Sequence, residues 1–318
     1  MLAFVFPGQG SQSVGMGKDL WSSYPAAASV FERADEALGG AGISKLCFDG
    51  PEESLVLTAN QQPAIFTTSV AAFEALRERL GTAFPRPAFV AGHSLGEWSA
   101  LCAAGALSIE DGVRTVRLRG QAMQEAVPAG QGAMAAVIGL EPADVTAACA
   151  EASAAGPASE PVSAANFNGG GQVVIAGHAR GVERAGEALK ARGAKRILPL
   201  KVSAPFHCAL MAPAARRLAE ALDRVEIGAP ATPVVTNVEA LPNADGARVK
   251  DLLVKQVTAP VRWEESVRYL AGAGVKRVVE VGPGTVLAGL IKRIDKSIEV
   301  LSVSDRASLE KTAEVLRA

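Results

Sequence analysis

The stretch FVAGHSLGEWSAL at 89–101 sets a serine between two glycines, Gly92-His93-Ser94-Leu95-Gly96, with an apolar run before it and a helix-forming run after it. This context reads as a nucleophile elbow. A sharp strand-to-helix turn exposes a hydroxyl at the end of a sheet, and side chains at the flanking positions would collide there. The helix that follows would aim its first backbone amides at an oxyanion developing beside Ser94. The competing reading is an ordinary glycine-bounded turn.

A serine hydroxyl needs a base to attack a carbonyl. The chain offers three histidines, His93, His178 and His207. His93 adjoins the serine inside the turn, so the two side chains should diverge, which leaves His93 a packing or supporting role. His178 follows the apolar run QVVIAG and reads as a surface loop residue. Elimination leaves His207, in VSAPFHCAL, against the alternative of a purely structural histidine. The glycine-rich loop PGQGSQSVGMG at 7–17 follows a strand but is not a dinucleotide site, because Ser13 stands where the third glycine of G-x-G-x-x-G would fall and no P-loop G-K-[ST] follows. Its better use is to bring a backbone amide near Gln9 close to the reacting carbonyl.

Elements able to position these groups follow from the apolar pattern. Short runs, LAFVF at 2–6, PAFVA at 87–91, PVVTNV at 233–238 and VKRVVEV at 275–281, each end in Gly, Pro or Asn and lead into a helical pattern. That rhythm predicts a mainly parallel sheet covered by helices. Residues 63–80 predict a long helix, and Ile109, Val113, Val116, Gly120, Met123 and Val127 repeat at helical spacing. Between about 132 and 200 the order becomes strand, helix, strand, hairpin through Gly169–Gly171, strand, helix and strand. This is the order of a ferredoxin-like unit. The expected fold class is therefore α/β: a hydrolase-like parallel-sheet large domain, residues 1–130 and 201–318, with an inserted ferredoxin-like small subdomain at 131–200.

Composition narrows the classes of function. The chain has 318 residues, 49% apolar and 20% charged, which places it among folded globular proteins. Its 32 basic and 33 acidic residues leave a formal net charge of −1, so no global field would draw it to nucleic acid or an anionic membrane. MLAFVF lacks a basic n-region and runs into turn residues, so it reads as a strand rather than a signal peptide. No run of apolar residues is long enough for a membrane span, and a cytoplasmic location is expected. Cys47, Cys102, Cys149 and Cys208 are scattered without metal-ligand spacing and read as reduced thiols, with no structural metal.

The motifs FPGQGSQ, GHSLGEWSAL, RLRGQAMQEAVP, NFNGGGQVVIAG, PFHCALM, NVEA, QVTAPVRW and EVGPGTVL, in this order, resemble the malonyl-CoA:acyl carrier protein transacylases of fatty-acid synthesis. The related acyltransferase domains of polyketide and animal fatty-acid synthases share the same core. The resemblance implies that Ser94 is the nucleophile, His207 its general base, and Gln256 the residue that orients His207, through a backbone carbonyl rather than a carboxylate. It further implies an oxyanion hole from the backbone amides of Gln9 and Leu95, and a pairing of Arg119 with the malonyl carboxylate. Phe206, directly before the histidine, implies malonyl selectivity. Trp98 departs from the tyrosine common in relatives and reads as a packing change. On the helical wheel Arg119 and Arg117 lie on opposite flanks of the apolar stripe while Arg114 faces away, so geometry leaves the first two open and the RLRG match favours Arg119.

The implied reaction is ping-pong transfer of malonyl from coenzyme A to the phosphopantetheine thiol of acyl carrier protein through a Ser94 ester, with no metal or organic cofactor. Malonyl-CoA and the carrier protein are the expected partners, and a monomer is the default. The basic run KARGAKR at 190–196, with Arg180 and Arg184, is a candidate docking patch for an acidic carrier, against the alternative of a solvated helix end. Three other readings compete. An α/β-hydrolase esterase or thioesterase would place its histidine near the end of the fold, whereas 111 residues follow His207. A polyketide-pathway acyltransferase would look much the same. A carrier-binding module without catalysis would not retain both serine and base.

Overall fold

The computed structural model describes residues 1–200 and 202–317. Ten strands form two sheets among the described residues: β1 (Leu2–Phe6), β2 (Phe89–Gly92), β3 (Gly132–Ile138), β4 (Val162–Gly169), β5 (Gln172–His178), β6 (Arg196–Pro199), β7 (Val234–Val235), β8 (Pro242–Asn243), β9 (Arg277–Val281) and β10 (Glu299–Val303). The larger sheet runs β10-β9-β1-β2-β7-β8 and is parallel except where β8 returns against β7.

Alternation along β1 builds two cores from one strand. Phe4 and Phe6 join the apolar cluster beneath the long helix Thr58–Leu80, where both rings contact Phe73. Ala3 and Val5 face the opposite layer, with Trp263, Val267, Leu290 and Ile291 from the helices Trp263–Gly272 and Val286–Ile294. A parallel sheet buried on both faces is the expected consequence of such continuously apolar strands. The long helix begins at Thr58, five residues before the predicted start. Pro63 lies inside it, and burial of Gln61, Gln62 and Pro63 against the core carries the helix past a ring that has no N–H to donate.

The smaller sheet is antiparallel in the order β4-β5-β3-β6, with helices Pro142–Ala154 and Ala179–Ala191 closing a core of its own around Val145, Val173, Ile175 and Leu189. This is the ferredoxin-like arrangement of the β-α-β-β-α-β order. Its edge strand β4 is tied to the large domain: the Phe167 N–H donates to the Val261 carbonyl and the Val261 N–H to the Ala165 carbonyl, each at 2.9 Å.

Register decides what meets at the sheet edge. Phe6 pairs with Gly92 and Ala91 with Val235, so the chain leaves β1, β2 and β7 side by side. The loops carrying Gln9, Ser94 and Asn237 therefore start from one crevice at the carboxyl ends of parallel strands, where α/β sheets bind ligands. The expected strand at 233–238 shrinks to Val234–Val235, because the chain turns at Thr236–Ala240 toward the elbow, with the Ala240 N–H donating to the Thr236 carbonyl.

Candidate active site

Ser94 has φ 51°, a left-handed conformation that a non-glycine residue adopts only when its surroundings hold it there. Three contacts do so. The Ser94 N–H donates to Asn237 Oδ1 at 2.6 Å, Asn237 Nδ2 donates to the Gly92 carbonyl at 2.7 Å, and Gln256 Nε2 donates to the Ser94 carbonyl at 3.1 Å. The flanking glycines are a steric requirement. A Cβ on Gly92 would fall 1.9 Å from the Gly96 carbonyl carbon, and one on Gly96 would fall 2.0 Å from the Phe6 carbonyl oxygen. Gly8 lets the first loop approach in the same way, since a Cβ there would lie 2.4 Å from the His93 carbonyl oxygen.

His207, also at positive φ (58°), brings Nε2 to 2.7 Å from Ser94 Oγ. Its Nδ1 lies 2.8 Å from the Gln256 carbonyl, which can only accept, so Nδ1 carries the proton and Nε2 is left to accept from the hydroxyl. Burial pushes the imidazole down to about 3, helped by the Arg119 guanidinium and opposed by the Gln256 carbonyl. At neutral pH it is therefore an unprotonated base.

Arg119, in the helix Ile109–Glu125, is 1% exposed. It donates through Nη1 to Gln62 Oε1 at 2.7 Å, and through Nη2 to Gln256 Oε1 at 3.0 Å and to Ser94 Oγ at 3.1 Å. Its Nε is buried with no partner among the described residues. Burial lowers its proton affinity to about 10, against the pull of Glu97, so it stays a cation. Its hydrogen-bond acceptors are all neutral, so no carboxylate accepts from the buried guanidinium beside the nucleophile among the described residues. Arg117 is only half-buried, and Arg114 is exposed and paired with Asp111.

The cleft above these groups has a volume of about 370 Å³ and is lined by Gln9, Ser94, Asn166, Phe206 and His207 among others. Leu95 is fully buried under the elbow at the start of the helix Gly96–Ala103. His93 Nε2 reaches Asn168 Oδ1 on β4 at 2.9 Å, and its ring packs against Trp263, so it braces the elbow against the small subdomain. His178 ends β5 and caps the next helix, its Nδ1 accepting from the Arg180 N–H at 3.3 Å.

Three residues of the network escaped the sequence reading. Asn237 and Gln62 are ordinary amides in sequence. Glu97 looks like a routine acid in the first turn of a helix, although it stands alone in the apolar stretch GEWSALCA, and that isolation was the available signal.

The fold and the elbow fit an acyl-transferring enzyme, and the acyl transferase domain family matches residues 3–313. The chain belongs to this family, and within it to the malonyl CoA-acyl carrier protein transacylases. It is 50% identical to the malonyl CoA-acyl carrier protein transacylase of Escherichia coli K12 over 313 residues, which cover 98% of this chain and 99% of that one. Among solved structures it is similar to an acyl carrier protein S-malonyltransferase from Vibrio cholerae, with 48% identity, TM-score 0.93, and coverage of 98% and 99%. It is also similar to a malonyl-transacylase in complex with its type II PKS acyl-carrier protein, with 46% identity, TM-score 0.93, and coverage of 99% of each chain.

Proposed function

We propose that this chain moves a malonyl group from coenzyme A to the phosphopantetheine thiol of an acyl carrier protein, for fatty-acid biosynthesis, through an ester on Ser94. One observation carries the reading: Ser94 Oγ faces the base His207 at 2.7 Å and the cation Arg119 at 3.1 Å. In a malonyl thioester a single methylene separates the carboxylate from the reacting carbonyl, so a carboxylate receptor for this acyl group must sit beside the nucleophile. Acetyl offers that receptor nothing.

In the first half-reaction His207 Nε2 takes the hydroxyl proton while Oγ bonds to the thioester carbonyl carbon. The backbone amides of Gln9 and Leu95 hold the oxyanion. The carbon–sulfur bond then breaks, and the coenzyme A thiolate takes the proton from His207. In the second half-reaction the carrier thiol gives its proton to His207 and attacks the ester, and Ser94 recovers its proton as it leaves. Gln256 orients His207 through its backbone carbonyl and steadies Arg119 through its side chain. Phe206 narrows the cleft against branched acyl groups.

Nucleophile, base and carboxylate receptor come from one chain, which supports a monomer as the working unit. A second apolar core around Val145, Val173, Ile175 and Leu189 supports a subdomain at 131–200, while Met134, Ala136, Ala165, Val174 and Ala176 from the same segment join the core of the large domain; Lys201, at the second boundary, lies outside the described residues. Among those described, no helix is long and apolar enough to cross a membrane, in keeping with a cytoplasmic enzyme.

Of the candidate docking patch, Arg192 is engaged with Glu151, and Arg180 and Arg184 with Glu160, while Lys190, Lys195 and Arg196 have no ion-pair partner among the described residues. These three are the better steering charges for an acidic carrier.

The test is intact-mass analysis after mixing with malonyl-CoA. A malonyl increment should map to Ser94 and vanish when holo-acyl carrier protein is added. An increment that water alone removes as fast as the carrier does would instead identify a thioesterase.

A further inference from the structure

Glu97 sits three residues after the nucleophile, in the first turn of the helix Gly96–Ala103, and is 2% exposed. One oxygen, Oε2, does two jobs: it accepts from Gln256 Nε2 at 2.8 Å and from the Asn237 N–H at 2.9 Å. Both partners touch the reacting region. Asn237 holds the strained Ser94 backbone, and Gln256 carries Arg119 on Oε1 and His207 on its carbonyl.

The side-chain amide of Gln256 can be turned two ways, and Glu97 decides between them. As found, Nε2 points at three acceptors, Glu97 Oε2, the Ser94 carbonyl and, at 3.3 Å, Asn237 Oδ1, and Oε1 faces the Arg119 guanidinium. Rotated by half a turn, the amide would set its oxygen against Glu97 Oε2 and the Ser94 carbonyl oxygen and its NH₂ against the Arg119 cation. Burial pushes the Glu97 carboxyl up to about 7, but the Ser94 and Arg119 contacts could not be satisfied in the turned amide at either charge of Glu97. Glu97 is also the carboxylate whose field raises the proton affinity of Arg119, and a helix N-terminal turn is a favourable place for it.

Resting on the transacylase reading, we propose that Glu97 is a positioning residue that sets acyl selectivity at second hand: through Gln256 it locks Arg119 in the orientation that receives the substrate carboxylate, and through Asn237 it holds the elbow. It touches no substrate. Its loss therefore lets Arg119 and the elbow relax without removing nucleophile, base or guanidinium.

The experiment compares Glu97→Ala, Glu97→Gln and wild type in kcat and KM for malonyl-CoA and for acetyl-CoA, with thermal unfolding as a check on the fold. Glu97→Ala should lower the malonyl-to-acetyl ratio of kcat/KM by about ten- to a hundredfold, the worth of one hydrogen bond to a charged group. Glu97→Gln can offer its carbonyl oxygen to both Asn237 and Gln256, so it should recover most of that ratio. Should Glu97→Ala not fold, Glu97→Met, which keeps the side-chain volume but offers neither Gln256 nor Asn237 an oxygen, takes its place and should lower the ratio alike. An unchanged ratio in Glu97→Ala, or a ratio in Glu97→Gln as low as in Glu97→Ala, overturns the positioning role. Absence of a malonyl–Ser94 adduct in the wild type would instead sink the transacylase reading itself.

Discussion

The inner and outer walls of the cleft are built on opposite principles. The inner wall, where Ser94, Arg119, Glu97, Asn237 and Gln256 meet, is a buried polar network: each of these residues is at most 7% exposed, and each donates to or accepts from at least two others. The outer wall is two lips, the segment around Val56–Thr58 and the residues Leu198, Leu200, Val202 and Ser203, joined by Thr58 Oγ1 and Ser203 Oγ at 2.7 Å. It leaves Val56, Leu57, Leu198, Leu200 and Val202 between 37% and 49% exposed. Buried charges and strained backbone demand full satisfaction and so fix one geometry. Exposed apolar side chains on loops and on the end of edge strand β6 demand little, which suits a mouth that must admit a coenzyme and then a carrier. On the proposed function, choice of acyl group falls to the inner wall and access to the outer one, and variants in each should fail differently.

The largest effect is expected at the centre of the inner wall. Ser94→Ala should abolish labelling and lower transfer by about 10⁴-fold or more while leaving the unfolding transition nearly unchanged, because only one oxygen is lost. His207→Ala should cost about as much, and the double variant little more, since the two act as one unit. Near-normal transfer by Ser94→Ala would end the covalent scheme.

Next comes the carboxylate receptor. Arg119→Ala should lower kcat/KM for malonyl-CoA by roughly two to four orders of magnitude, from the loss of two charge-assisted hydrogen bonds, while acetyl transfer holds or improves. If both substrates fell by one factor, Arg119 would be structural. Selection would then lie elsewhere, with Arg117 the first residue to examine.

The inner wall was also the more legible from sequence, but only where the chemistry is local. Gly92, Ser94 and Gly96 declare themselves because the steric demand falls on adjacent residues. Arg119 and Arg117 could not be separated on a helical wheel. What buries Arg119 is the close approach of its helix to the long helix, made possible by Gly120, where a Cβ would lie 2.5 Å from the Thr58 carbonyl oxygen. Glu97 shows in sequence only as a lone acid in an apolar stretch, and its role stays hidden for a similar reason: its partners stand at positions 237 and 256, and only the register of β2 with β7 brings the first of them to the elbow. On the outer wall, the basic run read as one patch, yet ion pairs formed by the fold occupy half of it. Sequence shows which charges exist, and tertiary structure shows which are already taken.

A smaller effect sharpens the link between the neutral base His207 and the cation Arg119. Burial is the first cause of the depressed His207 proton affinity and Arg119 the second. Wild-type acetyl transfer should therefore show no acid limb near the ordinary histidine range, and should fall only as pH approaches about 3. Removing the cation raises the proton affinity of His207, so in Arg119→Ala the limb should move up in pH, though not fully to the ordinary value because burial persists. A limb that stays in place would mean that the guanidinium and the imidazole do not sense each other.

The smallest effect belongs to the outer wall and depends on salt. Lys195 and Arg196 lie on the exposed edge around β6, next to the lip that carries Leu198 and Leu200. Their charges act at a distance, on encounter rather than on the bound state. Reversing both to Glu should raise the apparent KM for the carrier by about three- to tenfold at low ionic strength, and much less near 0.15 M salt, where screening acts within about 8 Å. The two half-reactions separate the possible roles, because malonyl-CoA also carries phosphates. Ser94 labelling by malonyl-CoA should keep its rate while discharge to the carrier slows. Equal slowing of both would assign the patch to the coenzyme, and no slowing at low salt would remove it from docking altogether. The malonyl-to-acetyl ratio should not move in any of these cases, since no charge on the outer edge touches the network that holds Arg119.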